Sequence, residues 1–408
     1  MKKNIQITTG TLSILLAFLF LLCSVPHVAA ASDRKDQWVG TWGASPQLVE
    51  IRNLPPAPGL TSNTLRQVVQ VSVGGEKLRV RFSNVFGKEP VTMNSVHLAK
   101  SAGKGTIQLG SDKILTFDGK PSVTIPAGES IVSDAVDFHL EPLADVAVTI
   151  AFGGTSATVT GHPGSRTTSY LQPGNSVSAP DLAGARRTEH WYILEGIDVE
   201  TPDSSGAVVT LGDSITDGRG SGTDKNDRWP DDLAGRLQAN KDTADVAVLN
   251  EGIGGNCILR GGLGPTALSR FDRDVLSQSG VRWLIIFEGV NDIGGSRDAS
   301  VVTNLIDAYQ KMIDQARSRH IRVYGATITP FGRSFYDRLG HETARAEVNN
   351  WIRTSGKFDA VIDFDAAVRD PKNPTNLLPG ADSGDHLHPN ERGYRMMAGA
   401  IDLKLFEN

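Results

Sequence analysis

The sequence predicts an α/β fold: a three-layer parallel sheet over residues 207–408, preceded by an antiparallel β-sandwich, jelly-roll-like, over residues 38–200. Two rhythms and one composition carry this. From Trp38 to Val199, short β-branched runs recur between turn residues without a helical period. From Ala207 onward, similar runs alternate with helical stretches, the pattern of a parallel sheet covered on both faces. The 43 glycines among 408 residues exceed the average share of roughly 7% and suit a chain with many tight turns.

The first thirty-one residues form an address. Met1-Lys2-Lys3 is a positive head, Leu12–Leu22 is nearly all apolar, and Val28-Ala29-Ala30-Ala31 offers small residues at cleavage spacing. This is the pattern of a secretory signal peptide, with an apolar core too short for a comfortable membrane span. The alternatives are an uncleaved anchor and a lipoprotein built on Cys23, against which the bulk of Leu22 counts. Cleavage removes Cys23 and leaves Cys257 as the single thiol, so no internal disulfide is expected and stability rests on packing. The destination is then secreted or periplasmic, and no later stretch approaches ~18 continuous apolar residues.

Within residues 38–200, Leu65–Val73 and Lys77–Phe82 read as strands joined by a tight hairpin at Gly74-Gly75, where glycine supplies positive φ angles. Further strands are expected at Val91–Leu98, Ile114–Phe117, Ser122–Ile125, Ser130–Val132 and Val146–Phe152. Thr201–Gly206 reads as a linker. The second half then gives strands Ala207–Leu211, Val246–Leu249, Trp283–Phe287, Val323–Thr327 and Val361–Asp363. Helical stretches fall at Arg236–Asn240, Val301–Arg319 and Arg345–Ser355. No internal repeat or low-complexity tract is present.

With 41 Lys+Arg against 46 Asp+Glu, a net charge of −5 and no basic run, nucleic-acid binding has no electrostatic footprint. Chemistry is therefore sought where open parallel sheets bind ligands, beyond the carboxyl ends of the strands. Three strands are followed by Gly212-Asp213-Ser214-Ile215, by Asn250–Asn256 and by Glu288–Asp292; Gly384–Pro389 precedes the last helix. Taken singly each is bland. Gly-Asp-Ser is an ordinary turn and cap, and Gly252-x-Gly254 lacks the third glycine of a dinucleotide loop, which falls on Cys257. Asp385 and His388 lack the further ligands a metal needs, so neither metal nor cofactor is expected.

Taken together the four segments supply what ester hydrolysis requires: a nucleophile, a base, a group to orient the base and donors for an oxyanion. Ser214 ends a strand with its hydroxyl free; Asp385 and His388, three residues apart, allow the carboxylate to grip the imidazole. Asn291 brings a side-chain amide, and the backbone N–H groups of Ser214 and Gly255 complete an oxyanion hole. No G-x-S-x-G elbow surrounds Ser214, which argues against an α/β-hydrolase.

These segments resemble, in order and separation, the signature blocks of the SGNH (GDSL) hydrolase superfamily, with Ile215 where the namesake block has Leu. The resemblance covers about residues 207–405 and implies a flavodoxin-like three-layer sheet. It implies Ser214 as nucleophile, His388 as general base and then acid, Asp385 as its orienter, and Ser214, Gly255 and Asn291 as oxyanion donors. With Gly40–Pro46 added, the chain is similar to exported esterases associated with xylan breakdown, which have an N-terminal β domain.

Other residues have quieter readings. His386 adjoins Asp385 too closely to pair with it, and Asp382 reads as a spare carboxylate or a loop-surface residue. Cys257 reads as a small buried side chain, and Asp213, Asn250 and Asp292 as residues that hold loops. Trp229 is open between a sugar platform and a packed helix start. Loops 256–265 and 329–341, the latter with Phe331, Arg333, Phe335, Tyr336 and Arg338, are open between substrate contact and packing. The expected function is an exported serine esterase for short acyl esters, acetyl on plant polysaccharide first, without metal or cofactor. The competing readings are a lipolytic or lysophospholipid-cleaving hydrolase and a non-catalytic carbohydrate-binding protein.

Overall fold

Five runs of apolar residues bounded by glycine or polar residues form one parallel sheet in this computed structural model. In chain order they are Gly206–Gly212, Val246–Gly252, Val281–Phe287, Arg322–Ala326 and Ala360–Ile362, and they lie side by side in the order 2-1-3-4-5. That is the flavodoxin order, which places a crevice beside the first strand where the winding reverses. The described residues are Met1, 37–182, 184–201, 205–298 and 300–407. Apart from Met1, the expected signal sequence lies outside them, as do residues 202–204 of the expected linker. The chain divides into Met1–Arg34 and a compact unit, Lys35–Asn408; the following describes the second.

Alternation along each strand sends side chains to two separate cores. Val208, Val246, Val248, Trp283, Ile285 and Phe287 enter one, with Leu233 and Leu237 of helix Trp229–Gln238 and Tyr394 and Met397 of helix Glu391–Gly399. Ala207, Val209, Leu211, Leu249, Leu284 and Ile286 enter the other, against helices Val301–Ser318 and His341–Thr354. On Val301–Ser318 the buried residues Val301, Leu305, Ala308, Met312 and Ala316 recur at spacings of three and four, one apolar stripe. Helix Trp229–Gln238 starts well before the expected Arg236. Pro230 hides it, although proline is tolerated in a first turn, where its missing N–H has no partner to lose. Trp229 itself is fully buried, edge-on to Phe364 at 5.2 Å, so it packs the core and offers no sugar platform.

Residues 37–201 are β-rich. One antiparallel sheet has the order Gln37–Gly43, Leu194–Thr201, Gly75–Ser83, Val136–Leu140. Another has the path Arg186–Thr188, Ser169–Pro173, Asn63–Gln70, Asp145–Phe152, Val91–Gly103. The expected hairpin at Gly74-Gly75 is not formed: Asn63–Gln70 and Gly75–Ser83 belong to different sheets. Over residues 71–74 the chain crosses between them, with Ser72 N donating to Thr41 O at 2.9 Å. Glycine at 74 serves close approach, not positive φ, since a Cβ there would lie 2.1 Å from Leu140 O.

Leu78, Val80 and Phe82 of the first sheet, Leu65, Leu98 and Ile150 of the second, and Val209 and Leu284 of the parallel sheet share one hydrophobic cluster. Polar contacts run across the same junction. The edge strand Val246–Gly252 is capped by the β-rich part, with Val248 N donating to Ser72 Oγ at 3.0 Å and Ala44 bridging Asn250. Among the described residues no helix is long and apolar enough to cross a membrane.

Candidate active site

Strand Gly206–Gly212 runs into a single helical turn, Ser214–Asp217. Asp213 caps it by accepting from Ile215 N at 2.9 Å, and Gly218 ends it in the left-handed region at φ 99°. A Cβ on Gly212 would lie 2.0 Å from Thr216 Oγ1, so glycine there lets the turn fold back on the strand. Ser214 is thereby presented at the carboxyl edge of the sheet with 7% of its surface exposed.

The loop before helix Glu391–Gly399 brings His388 to it. The Ser214 Oγ–His388 Nε2 distance is 2.8 Å, and His388 Nδ1 lies 2.6 Å from Asp385 Oδ2. A carboxylate only accepts, so Nδ1 carries the proton and Nε2 is left to accept from the serine. The other carboxylate oxygen of Asp385 accepts from the backbone N–H of His388 at 2.9 Å and of Leu387 at 3.1 Å. Burial alone would raise the Asp385 carboxyl; the bonds from the His388 ring and backbone outweigh it and hold the group below the ordinary carboxylate range. Asp382, open from sequence between a spare carboxylate and a loop-surface residue, is half-buried in the loop. It takes His386 Nδ1 at 2.6 Å and the backbone N–H groups of Gly384 and His386, clamping the loop one residue out of step with the Asp385–His388 pair.

Gly255 and Asn291 stand across the cleft. Gly255 is in the left-handed region at φ 72°. Asn291 Nδ2 donates to Asn256 O at 2.8 Å, and Tyr336 OH donates to Asn291 Oδ1 at 2.9 Å. Because Asn256 O only accepts, the amide nitrogen must face it, and the second Nδ2 hydrogen remains for the cleft. The loops are tied from behind: Asp292 accepts from Ile258 N and Leu259 N, and Asn250 spans Thr216 O and Gly252 N. Cys257 is buried, which pushes its thiol up to about 12 and disqualifies it as a nucleophile.

Ser214, Gly255, Asn291 and His388 line one cleft of about 330 Å³. Of the two loops left open by sequence, Leu263, Phe335 and Tyr336 line it, whereas Phe331 is buried in the core and Arg333 is exposed. The β-rich part supplies the opposite wall, including Arg52, Asn53, Arg166 and His190. It also reaches under the Ser214 turn: His162 bonds Asp217 Oδ1 through Nε2 and Ser45 O through Nδ1, both at 2.9 Å. Sequence reasoning missed His162, Arg52 and Arg166. The one available signal was Gly161-His162-Pro163-Gly164, since a Cβ on Gly164 would lie 2.0 Å from Asp217 Oδ2.

Behind the cleft lies a buried charged layer. Arg270 donates to Glu251 O at 2.6 Å, Ser45 Oγ at 2.8 Å, Asn256 Oδ1 at 3.0 Å and Gly212 O at 3.1 Å, fastening three of the loops together. Burial, with Asp274 adding to it, pushes Glu251 up to about 8, and burial pushes Asp213 up to about 7. Among the described residues no group of three or more His, Cys, Asp and Glu gathers around one point where a metal ion fits.

The family model described as GDSL-like lipase/acylhydrolase matches residues 210–396. Among solved structures, the chain is similar to an acetylxylan esterase of Geobacillus stearothermophilus, at 20% identity and a TM-score of 0.37, covering 50% of this chain and 94% of that one. It is similar also to a carbohydrate acetylesterase of Sinorhizobium meliloti (14% identity, TM-score 0.39, 49% and 98% covered). A third is a member of the lipolytic G-D-S-L family from Veillonella parvula DSM 2008 (22% identity, TM-score 0.35, 48% and 96% covered). No curated protein matches the chain. Residues 210–396 are a domain of the GDSL-like lipase/acylhydrolase family.

Proposed function

We propose that the protein is an exported serine esterase for short acyl esters, working through an acyl-enzyme on Ser214. The observation that carries this reading is the continuous line of 2.8 Å and 2.6 Å contacts from Ser214 through His388 to Asp385. Ser214 Oγ attacks the ester carbon while His388 Nε2 takes its proton. The carbonyl oxygen, now negative, is met by the free Nδ2 hydrogen of Asn291 and the backbone N–H groups of Gly255 and Ser214. The tetrahedral intermediate collapses, His388 returns the proton to the departing alkoxide, and the acyl group stays on Ser214. Water then attacks the acyl carbon with His388 again as base, releasing the acid and restoring the serine. Asp385, held ionised, keeps the proton on Nδ1 and stabilises the imidazolium in both halves.

A cleft of about 330 Å³ lies at the small end of ligand sites, and its wall includes arginines, a glutamate and side-chain amides, which favours a short acyl group on a polar alcohol such as a sugar. Export rests on the signal pattern of residues 1–31. Hydrolysis of p-nitrophenyl acetate and palmitate, with acid-quenched protein digested for the acylated peptide, tests the reading. Faster turnover of acetate with acyl on the Ser214 peptide is expected. Preference for palmitate overturns the short-chain assignment, and acyl on another peptide overturns the nucleophile.

A further inference from the structure

Three guanidinium groups line the cleft around Ser214: Arg52, Arg166 and Arg219. The carboxylates that line or border it are already engaged. Glu50 accepts from the side-chain amides of Gln47 at 3.1 Å and Asn53 at 2.9 Å. Asp217 is held by His162 and Asp385 by His388. The arginines are not engaged in the same way. Among the described residues, neither Arg52 nor Arg166 has a side-chain hydrogen bond or ion pair, and Arg219 makes only a 3.9 Å approach to Asp385. Arg52 is exposed and Arg166 half-buried; the buried Arg66, Arg270 and Arg345 are each fixed by several carbonyls or carboxylates.

Arg166 is the more informative of the pair. Its Nε–H has neither solvent contact nor an acceptor, and its backbone is in the left-handed region at φ 52°, a strained place for a residue with a Cβ. The loop enforcing this is tied on both sides. Ser165 Oγ donates to Thr167 O at 2.8 Å, Asp224 N donates to Arg166 O at 2.9 Å, and Asp224 takes Thr168 Oγ1 at 2.7 Å. Strain that the surroundings over-determine is found where a side chain must be presented to something. The chain is acidic overall, at −5, so these arginines are not an extension of a basic surface.

We propose, building on the serine-esterase reading, that the cleft takes an ester bearing a carboxylate near the scissile bond, and that Arg52 and Arg166 select it. A guanidinium fork matches a carboxylate with two parallel N–H···O bonds, and it stays charged at every working pH. The carboxylate sits on the acyl part or on the alcohol part, and matched esters tell these apart. For the acyl side the pair is p-nitrophenyl butyrate and mono-p-nitrophenyl succinate. For the alcohol side it is p-acetoxybenzamide and p-acetoxybenzoate.

The wild-type protein is expected to favour the charged member of at least one pair by roughly tenfold or more in kcat/KM. The double variant Arg52→Gln/Arg166→Gln is expected to remove most of that ratio. Partial misfolding of the variant lowers both members equally and leaves the ratio intact, so the ratio reports selection. A second measurement needs no variant: raising ionic strength to about 0.5 M should shrink the wild-type ratio. Equal rates within both pairs, a preference for the uncharged members, or a ratio indifferent to both salt and the double variant would overturn the inference. Turnover of the uncharged esters without charge preference removes this inference alone. Failure to cleave any of the four esters removes the esterase reading with it.

Discussion

Tyr336 and Asn291 are 45 residues apart in the chain and joined by one hydrogen bond of 2.9 Å. That bond, with the one from Asn291 Nδ2 to Asn256 O, fixes the amide at both ends, so the remaining hydrogen is aimed before any substrate arrives. Replacing Tyr336 by Phe keeps the ring and removes the donor. The expected result is a fall in kcat of about tenfold with KM little changed, while Asn291→Ala costs on the order of 10²–10³ in kcat. Steady-state kinetics check both; an unchanged kcat in Tyr336→Phe would show that the amide needs no second anchor. The site residues that sequence reasoning could reach are those whose types are tied to their own neighbours in the chain. Ser214 follows Gly212-Asp213 at a strand end, and Asp385 and His388 are three apart. Tyr336 was visible only as one of five loop residues open between substrate contact and packing, and His162 and Arg166 owe their positions to folding, with Gly161-His162-Pro163-Gly164 the one local signal beside them.

At the scale of elements, the strands of the parallel sheet were legible because they are buried on both faces and therefore read as short unbroken apolar runs. The β-rich part was harder. Its strands were visible, but their pairing was not, because Gly74-Gly75 suits a hairpin and a close crossing equally well by composition. Strand Thr160–His162 shows what such an element contributes. Its terminal histidine must donate Nδ1–H to Ser45 O, since a carbonyl only accepts; the contact with Asp217 therefore shares one further proton between ring and carboxyl. This pins the turn that carries Ser214. His162→Ala is expected to leave Asp217 buried without its partner, costing roughly 1–3 kcal/mol of stability and lowering kcat. Thermal melting and turnover measured together check this, and full activity with a lowered melting temperature would make His162 structural only.

Across the unit Lys35–Asn408, one hydrophobic cluster runs from the β-rich part into the parallel sheet, and the charged layer behind the candidate site sits at that junction. Glu251 is the clearest member, raised to about 8 by burial and by Asp274, against Arg81, Arg270 and the Ser45 hydroxyl. A carboxyl raised on folding binds more protons in the native state. The stability it gives is therefore present in full below about pH 4, the ordinary carboxyl value, and is lost as pH rises through about 8. Melting is expected at a lower temperature at pH 9 than at pH 6, with a smaller difference in Glu251→Gln; equal pH dependence in the two proteins would assign the effect elsewhere. None of this layer was readable from sequence, because Glu251, Asp274 and Arg270 look like surface charges until the junction covers them. The most direct test of the account compares p-nitrophenyl acetate hydrolysis by the wild-type protein and by Ser214→Ala. A loss of several orders of magnitude, up to about 10⁶, is expected, with the melting curve preserved. Activity of the variant within tenfold of wild type would contradict it.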